Sequence, residues 1–279
     1  MRTFRYVITD VFTDTPLAGN QLAVFTDARD LDTETMQALA LEVGFSESVF
    51  VLSPEETGHV RIRIFTPHCE LPFAGHPTLG TAFVLGGPLQ LQVINIETGR
   101  GVIPVALERD QSGRIVFGRM EQPVPTVEEL VETAPLLAAI GVERSELPIE
   151  IYDNGAIHIL VTLGSEEQVA ALRPDLAGVV ALGVTGVSCF AGSDDRWTTR
   201  MFWSDGEDAA TGSAAGPIAC HLARHGRIGW GEEIVISQGT AIGRPSTLYA
   251  RAEGGDGLID RVEVGGQAVT VARGEFQVP

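Results

Sequence analysis

The sequence predicts an α+β protein made of two similar halves. Residues 63–77 and 200–214 have similar sequences at a constant offset of 137 positions, without a gap. Both stretches end at a glycine that precedes an apolar helical segment, and strand patterns flank both in the same order. A repeat of this length exceeds the roughly 20–50 residues of a solenoid unit, so it indicates a duplicated domain.

The elements of the first half follow from hydrophobic patterning and from start and stop residues. Asp32 caps a helix that ends at Gly44. Residues 60–64 alternate between apolar and polar side chains, which predicts a half-exposed strand. Pro77 suits the first turn of the next helix, which we expect to stop at Gly86-Gly87. Further strands are predicted at residues 3–9, 22–26, 49–52, 89–97 and 101–108.

A proline-rich segment near residue 122 divides the chain into predicted halves 1–122 and 123–279. Thr126 and Glu129 fit a capping box for a helix that runs through Ile140. We expect the active site in the cleft between the halves. The second half is predicted to contain strands in 149–163, 186–191, 198–203, 233–237, 247–252 and 260–271, a short helix opened by Ser165 and Gln168, and a helix at 214–222.

Each half presents a helix N-terminus just after a glycine, which is Gly75 in the first half and Gly212 in the second. Free N–H groups and the positive end of the helix dipole make such a terminus an anion site. Two of them across one cleft would hold a small carboxylate from both sides. A simple capping turn is the alternative for either copy alone, and the in-register duplication disfavours it.

Composition excludes several classes of function. The net charge of −18 argues against nucleic acid and anionic membrane as partners. No stretch reaches the roughly 20 apolar residues of a membrane span, and residues 1–8 are predicted to form a strand rather than a signal peptide. All 19 basic residues are arginine, so a lysine Schiff base with pyridoxal phosphate and a P-loop are both excluded.

The cysteines and histidines predict neither a disulfide framework nor a metal site. Cys69, Cys189 and Cys220 form an odd and widely spaced set, typical of a protein in the reduced cytoplasm. For Cys69, a small buried residue is favoured over a nucleophile. His221 and His225 stand four positions apart with no obvious third ligand nearby, so a polar helix end is favoured over a metal site. We expect no metal and no cofactor.

The motifs around the two repeated stretches are specific. Residues 62–67 read Ile-Arg-Ile-Phe-Thr-Pro, residues 70–77 read Glu-Leu-Pro-Phe-Ala-Gly-His-Pro, and residues 207–216 read Glu-Asp-Ala-Ala-Thr-Gly-Ser-Ala-Ala-Gly. With Ser46-Glu47-Ser48, they closely resemble the PhzF family, which contains the isomerase of phenazine biosynthesis, and the likeness spans nearly the whole chain. The resemblance implies a diaminopimelate-epimerase-like fold, with a mostly antiparallel sheet rolled around a central helix in each half, and a homodimer.

Two local departures from the family pattern concern substrate fit. This chain has Gly19-Asn20-Gln21 where the family often has Gly-Asn-Pro, and the segment 203–206 before Glu207 is short. In racemases and epimerases of the implied fold, two cysteines stand at the helix-opening turns. Here those positions are Ala74 and Thr211, so a two-cysteine racemase is excluded.

The resemblance also implies residue roles. Glu47 would move a proton from C3 to C1 of trans-2,3-dihydro-3-hydroxyanthranilate, and a dry site would have to raise its pKa above the ordinary value near 4.3. His76 would hydrogen-bond the hydroxyl or the carboxylate of the substrate, and Asp208 would hold the amine. The implied substrate-binding residues are Asn20, Gly75, Gly212 and Ser213.

Two alternatives to this assignment stay open. The first is a related isomerase or epimerase that acts on another small amino or hydroxy acid. The second is an inactive protein that keeps the cleft as a ligand pocket. Exchange of substrate protons with solvent separates an enzyme from a binding protein, because a binding protein would introduce no solvent deuterium into its ligand.

Overall fold

The computed structural model describes residues 1–204 and 206–278. Asp205, in the short segment before Glu207, and Pro279, the last residue of the predicted second half, lie outside the described residues. The chain forms two compact units, called unit 1 (residues 1–121 and 265–278) and unit 2 (residues 122–264). Each unit combines a sheet with few helices, so the predicted α+β class is confirmed.

The elements are numbered in chain order. The first are β1 Arg2–Val11, β2 Asn20–Phe25, α1 Thr33–Val43, β3 Glu47–Leu52, β4 Val60–Phe65, β5 Glu70–Leu71, α2 Gly75–Leu89, β6 Val93–Thr98, β7 Gly101–Arg109 and β8 Ile115–Gln122. The next are β9 Thr126–Glu129, α3 Ala134–Ile140, β10 Glu150–Asp153, β11 Ile157–Thr162, α4 Glu166–Ala171, α5 Leu176–Ala181, β12 Gly186–Ser193, β13 Arg196–Trp203, β14 Gly206–Asp208, α6 Gly212–Arg224, β15 Glu233–Gln238, β16 Ser246–Gly255, β17 Leu258–Gly266 and β18 Ala268–Val278. None of the helices in the described chain is both long and apolar enough to span a membrane.

In unit 1, the sheet separates α2 from α1. Side chains alternate between the two faces of a strand. Leu22 of β2 therefore faces α2, where it lies against Gly80, whereas Phe25 packs in the cluster that α1 covers. Helix α2 contacts β1, β2, β3, β6, β7 and β18, so it is the central helix of this unit. Asp32 caps α1 as predicted, since its carboxylate accepts from the backbone N–H of Thr35 at 2.8 Å.

Unit 2 repeats the strand pairing of unit 1. In unit 1, β2 pairs parallel with β3, β3 antiparallel with β4, β4 parallel with β6, and β6 antiparallel with β7. The corresponding pairs β11–β12, β12–β13, β13–β15 and β15–β16 have the same directions. Helix α6 packs on β11, β15 and β16, and α4 and α5 pack on β12 and β13. This shared topology is what a duplicated domain predicts.

The helix predicted from Thr126 through Ile140 is wrong in its first part. Residues 126–129 form β9, which pairs antiparallel with β10, and only α3 is helical. The capping-box pattern is a local signal, and the backbone hydrogen bonds of strand pairing override it. Pro135 stands near the start of α3, where a missing N–H costs nothing.

Two further boundaries differ from the prediction. Helix α2 continues past Gly86-Gly87 to Leu89, and it ends at Gln90, which takes the left-handed C-cap conformation. Gly86 serves close packing inside the helix, since a Cβ there would lie 2.4 Å from Leu107. The strand predicted at 260–271 divides at Gln267 into β17 and β18. Since β18 pairs with β1 along its whole length, the predicted half 123–279 is corrected, and residues 265–278 belong to unit 1.

Candidate active site

The two repeated stretches build the same turn in each unit. In unit 1, Arg63 binds both carboxylate oxygens of Glu70, at 2.7 and 2.6 Å, and lies over the ring of Phe65. In unit 2, Arg200 binds Glu207 in the same bidentate way, at 3.0 and 2.6 Å, and lies over a phenylalanine at the same distance of 5.0 Å as in unit 1. These pairs join the strand before the turn to the strand after it, so they position the start of each central helix.

Ala74 is the N-cap of α2 and Thr211 is the N-cap of α6. Neither residue makes a side-chain capping hydrogen bond to its helix. The first backbone N–H groups, at Gly75 in α2 and at Gly212 in α6, therefore have no cap side chain over them. An uncapped helix N-terminus can accept an anionic group.

In unit 1, three of the site residues predicted from the sequence, Asn20, Glu47 and His76, lie together at this turn. The imidazole of His76 lies with Nε2 3.4 Å from a carboxylate oxygen of Glu47 and with Nδ1 3.3 Å from the amide nitrogen of Asn20. The hydroxyl of Ser46 donates to the other end of the Asn20 amide at 3.2 Å. The ring thus lies between the Asn20 amide and the Glu47 carboxylate, within 3.4 Å of each.

The surroundings of this group suit proton transfer. The side chain of Glu47 is 14% exposed, and that of His76 is 4% exposed. Burial lowers the pKa of His76 to about 3, against a smaller raising effect of the Gln21 backbone. His76 is therefore neutral at physiological pH. A neutral imidazole beside a carboxylate can exchange hydrogen bonds with substrate without adding a fixed charge.

In unit 2, Asp208 stands at the end of β14 beside the N-cap of α6. The hydroxyl of Thr211 donates to the Asp208 carboxylate at 2.6 Å. Gln238 ties this turn together, because its amide donates to the Asp208 carbonyl and to the Thr211 hydroxyl, each at 2.9 Å, and accepts from the Thr211 N–H at 3.0 Å. Gln238 was not predicted, since it is distant in sequence and its segment has no motif of its own.

The Ser213 side chain lies at the start of α6 and meets His158, another residue not predicted. Nε2 of His158 is 2.9 Å from the Ser213 hydroxyl. The Ser213 carbonyl lacks its usual helical donor, because Pro217 stands four positions later and has no N–H. Asn154 takes that place and donates to the carbonyl at 2.9 Å. Pro217 inside the helical segment could have indicated the freed Ser213 carbonyl, but no sequence pattern indicated His158.

The fold brings a third possible metal ligand to the two helical histidines, which corrects the expectation that none is near. Glu150 lies 3.0 Å from His221 and 3.2 Å from His225, through one carboxylate oxygen. The same oxygen accepts from Arg224 and from the Tyr152 hydroxyl, each at 2.8 Å. A cation there would face a guanidinium already paired with its carboxylate ligand, so the donor set fits a buried hydrogen-bonded cluster better than a metal site.

The cysteines separate into two kinds. Cys189 and Cys220 are buried, and burial raises the pKa of each thiol to about 12. Cys69 is exposed, so the prediction that it is a small buried residue is wrong; the turn between β4 and β5 places it at the surface. None of the three stands at a helix-opening position, because Ala74 and Thr211 occupy those positions.

Comparisons with known proteins agree with these features. Residues 9–274 match the PhzC-PhzF family, described as phenazine biosynthesis-like protein. Trans-2,3-dihydro-3-hydroxyanthranilate isomerase of Pseudomonas aeruginosa is 50% identical over 273 residues, which cover 97% of this chain and 98% of that protein.

Solved structures show the same relationship. The phenazine biosynthesis protein of the PhzF family from Bacillus anthracis has a TM-score of 0.85 at 25% identity, with 100% of both chains covered. A hydroxyproline epimerase from Agrobacterium vitis shares the fold alone, with a TM-score of 0.71 at 13% identity over 98% of this chain and 92% of that one. With a family match along almost all of its length, the chain belongs to the PhzC-PhzF family of phenazine biosynthesis-like proteins.

Proposed function

We propose that this chain is an isomerase that moves a proton from C3 to C1 of trans-2,3-dihydro-3-hydroxyanthranilate in phenazine biosynthesis. The name and 50% identity of the Pseudomonas aeruginosa relative support the substrate. The observation that carries the reaction type is the single carboxylate of Glu47, placed at the start of β3 beside neutral His76. The matching strand of unit 2, β12, begins with Gly186, which has no side chain to serve as a second base.

In this mechanism one carboxylate removes a proton and returns it. Glu47 takes the proton from C3, the electron pair shifts through the diene, and C1 receives the proton from the same carboxyl group. The product is an enol that relaxes to the ketone, so no atom is gained or lost. A single base on one face of the ring favours isomerisation over racemisation, and general acid–base catalysis of this kind contributes about 10²–10⁴ in rate.

The binding roles are part of the proposal. His76 hydrogen-bonds the hydroxyl or the carboxylate, Asp208 holds the amine, and Ser213 with the first backbone N–H groups of α2 and α6 binds the carboxylate. The uncapped helix termini and the neutral state of His76 support this assignment. We include a homodimer and a cytoplasmic location in the proposal, and analytical ultracentrifugation tests the first.

The direct test is turnover of the dihydro acid after exhaustive dialysis against a chelator. We expect full activity, with one deuterium placed at C1 in D₂O and diluted by any proton that Glu47 carries directly from C3. Activity that disappears on dialysis and returns with zinc or magnesium would contradict the cofactor-free mechanism and direct attention to Glu150, His221 and His225. Binding of the acid without any proton exchange would favour an inactive ligand-binding protein.

Thiol modification tests the absence of a cysteine base. In the folded protein we expect an alkylating reagent to modify Cys69 alone, because the other two thiols are buried with raised pKa values. Turnover should stay within about twofold, since no thiol takes part in proton transfer. Mass spectrometry locates the label, and Cys69→Ser is the matched control. A thousandfold loss of turnover in a folded, labelled enzyme would show that the base is misassigned.

A further inference from the structure

His158 lies in unit 2 on β11, between β10 and β12, and is fully buried. One of its ring nitrogens, Nε2, is 2.9 Å from the hydroxyl of Ser213. The other, Nδ1, is buried and has no hydrogen-bond partner in the part of the chain that the structure describes. A buried polar atom of this kind calls for an explanation, because most buried polar groups are hydrogen-bonded.

The unpartnered nitrogen indicates which tautomer is present. A neutral imidazole carries one proton, on Nδ1 or on Nε2. A proton on Nδ1 would leave a buried N–H without an acceptor, which is rarer in proteins than a buried acceptor without a donor. The proton therefore belongs on Nε2, where it is donated to the Ser213 hydroxyl. Burial also lowers the pKa of His158 to about 4, against a smaller raising effect of Asp153, so the ring stays neutral.

This tautomer decides what the Ser213 hydroxyl can do. Its oxygen accepts from His158, so its own proton must be donated elsewhere. The hydroxyl makes no other hydrogen bond within residues 1–204 and 206–278. Ser213 is the second residue of α6, and its carbonyl is held by Asn154. The Ser213 hydroxyl is thus a hydrogen-bond donor whose oxygen is held in place by His158, beside an uncapped helix N-terminus. This arrangement suits a carboxylate ligand.

We propose that His158 is a positioning residue that holds the Ser213 hydroxyl as a hydrogen-bond donor for the carboxylate of the substrate. This inference rests on the proposed function, because the ligand is the carboxylate of that reaction. His158 touches no reacting atom, so its contribution lies in ground-state binding rather than in proton transfer. Proton transfer belongs to Glu47.

The test compares two variants of similar length. His158→Gln places an amide donor near the position of Nε2, whereas His158→Met fills a similar volume without a donor. We expect His158→Met to raise KM for the dihydro acid by about tenfold with kcat within about twofold, and His158→Gln to restore most of the loss, because a hydrogen bond to a charged group is at stake. In a Ser213→Ala background, His158→Met should have no further effect on KM.

Binding measurements keep this test separate from the proposed function. 3-Hydroxyanthranilate carries the same three substituents on an aromatic ring, and 2-aminophenol lacks only the carboxylate. By calorimetry, His158→Met should weaken binding of the acid about tenfold and leave binding of 2-aminophenol unchanged. This comparison is valid even if the wild type does not turn over the dihydro acid, an outcome that would refute the proposed function alone.

Nitrogen-15 NMR of labelled histidine reports the tautomer of His158 and the response of Nε2 to the ligand. A purely structural role of His158 would predict no such response. We expect the His158 signals of the tautomer protonated at Nε2, with a shift of that nitrogen on addition of 3-hydroxyanthranilate. A ring protonated at Nδ1 would overturn the proposal, because Ser213 would then donate into the ring. Equal losses of affinity for the acid and for 2-aminophenol, or an undiminished effect of His158→Met in the Ser213→Ala background, would overturn it as well.

Discussion

Replacing Glu47 with glutamine is expected to lower kcat by at least about 10³, near the upper range for loss of a general base. Glutamine keeps the shape of the side chain and its contact with His76, but it cannot accept a proton from carbon. Affinity for 3-hydroxyanthranilate should change little, because the proposed binding groups lie on other residues. Turnover and calorimetry on the same preparations separate the two effects.

A second substitution at the same position tests geometry. Glu47→Asp keeps the charge but shortens the arm by one methylene, about 1 Å, and a displacement of this size can cost about a hundredfold. We therefore expect kcat to fall in the order wild type, Glu47→Asp, Glu47→Gln. If Glu47→Gln turned over within tenfold of the wild type, the single-carboxylate mechanism would be refuted, and Asp208 and His76 would become the candidates for the base.

Acid is expected to destabilise the folded protein strongly between about pH 7.5 and pH 5. Burial lowers the folded-state pKa of His76 to about 3 and that of His158 to about 4, from 6.5. Below the unfolded value the unfolded chain binds more protons than the folded one, so stability is fully present above about pH 6.5 and is lost as the pH falls toward the folded-state values. The pKa of His221 is lowered by its burial too, which acts in the same direction.

The size of this effect at pH 5 depends mainly on the unfolded pKa. Each such histidine is expected to cost about 2 kcal/mol at pH 5, so the pair reduces the free energy of unfolding by roughly 4 kcal/mol relative to pH 7.5. Urea unfolding across this pH range measures it. His158→Gln should remove about 2 kcal/mol of this difference, the share expected of one such histidine. A free energy of unfolding that is flat across this range would show that these rings are protonated in the folded state.

Features confined to a single turn could be predicted from the sequence. An arginine and a glutamate seven positions apart, followed within a few residues by the glycine that opens a helix, recur in both repeats, and the structure shows that each arginine binds its glutamate. Such patterns can be recognised because their residues belong to one short segment. The recurrence of the pattern at a constant offset revealed the duplication. The cap at Asp32 was predictable for the same reason, since its partner Thr35 is three positions away.

A local pattern gave a wrong helix prediction where the same backbone segment pairs with a distant strand. Thr126 and Glu129 satisfy a helix-capping pattern, yet β9 pairs with β10, whose hydrogen bonds satisfy more backbone groups than one cap does. The sequence does not say which strand will lie alongside another, because that choice depends on the burial of whole faces. The pairing of β18 with β1 is the extreme case, with partners at opposite ends of the chain.

The sequence by itself determined the duplication, the α+β class and the identity of the residues at the two helix-opening turns. Each of these depends on short residue patterns and on the constant spacing between them. Only the tertiary structure placed Asn20 beside His76, 56 positions away, His158 beside Ser213, 55 positions away, and Glu150 beside His221, 71 positions away. The physical reason is that a side chain's partner, burial and pKa depend on what the fold packs against it, and residues remote in the chain supply that environment.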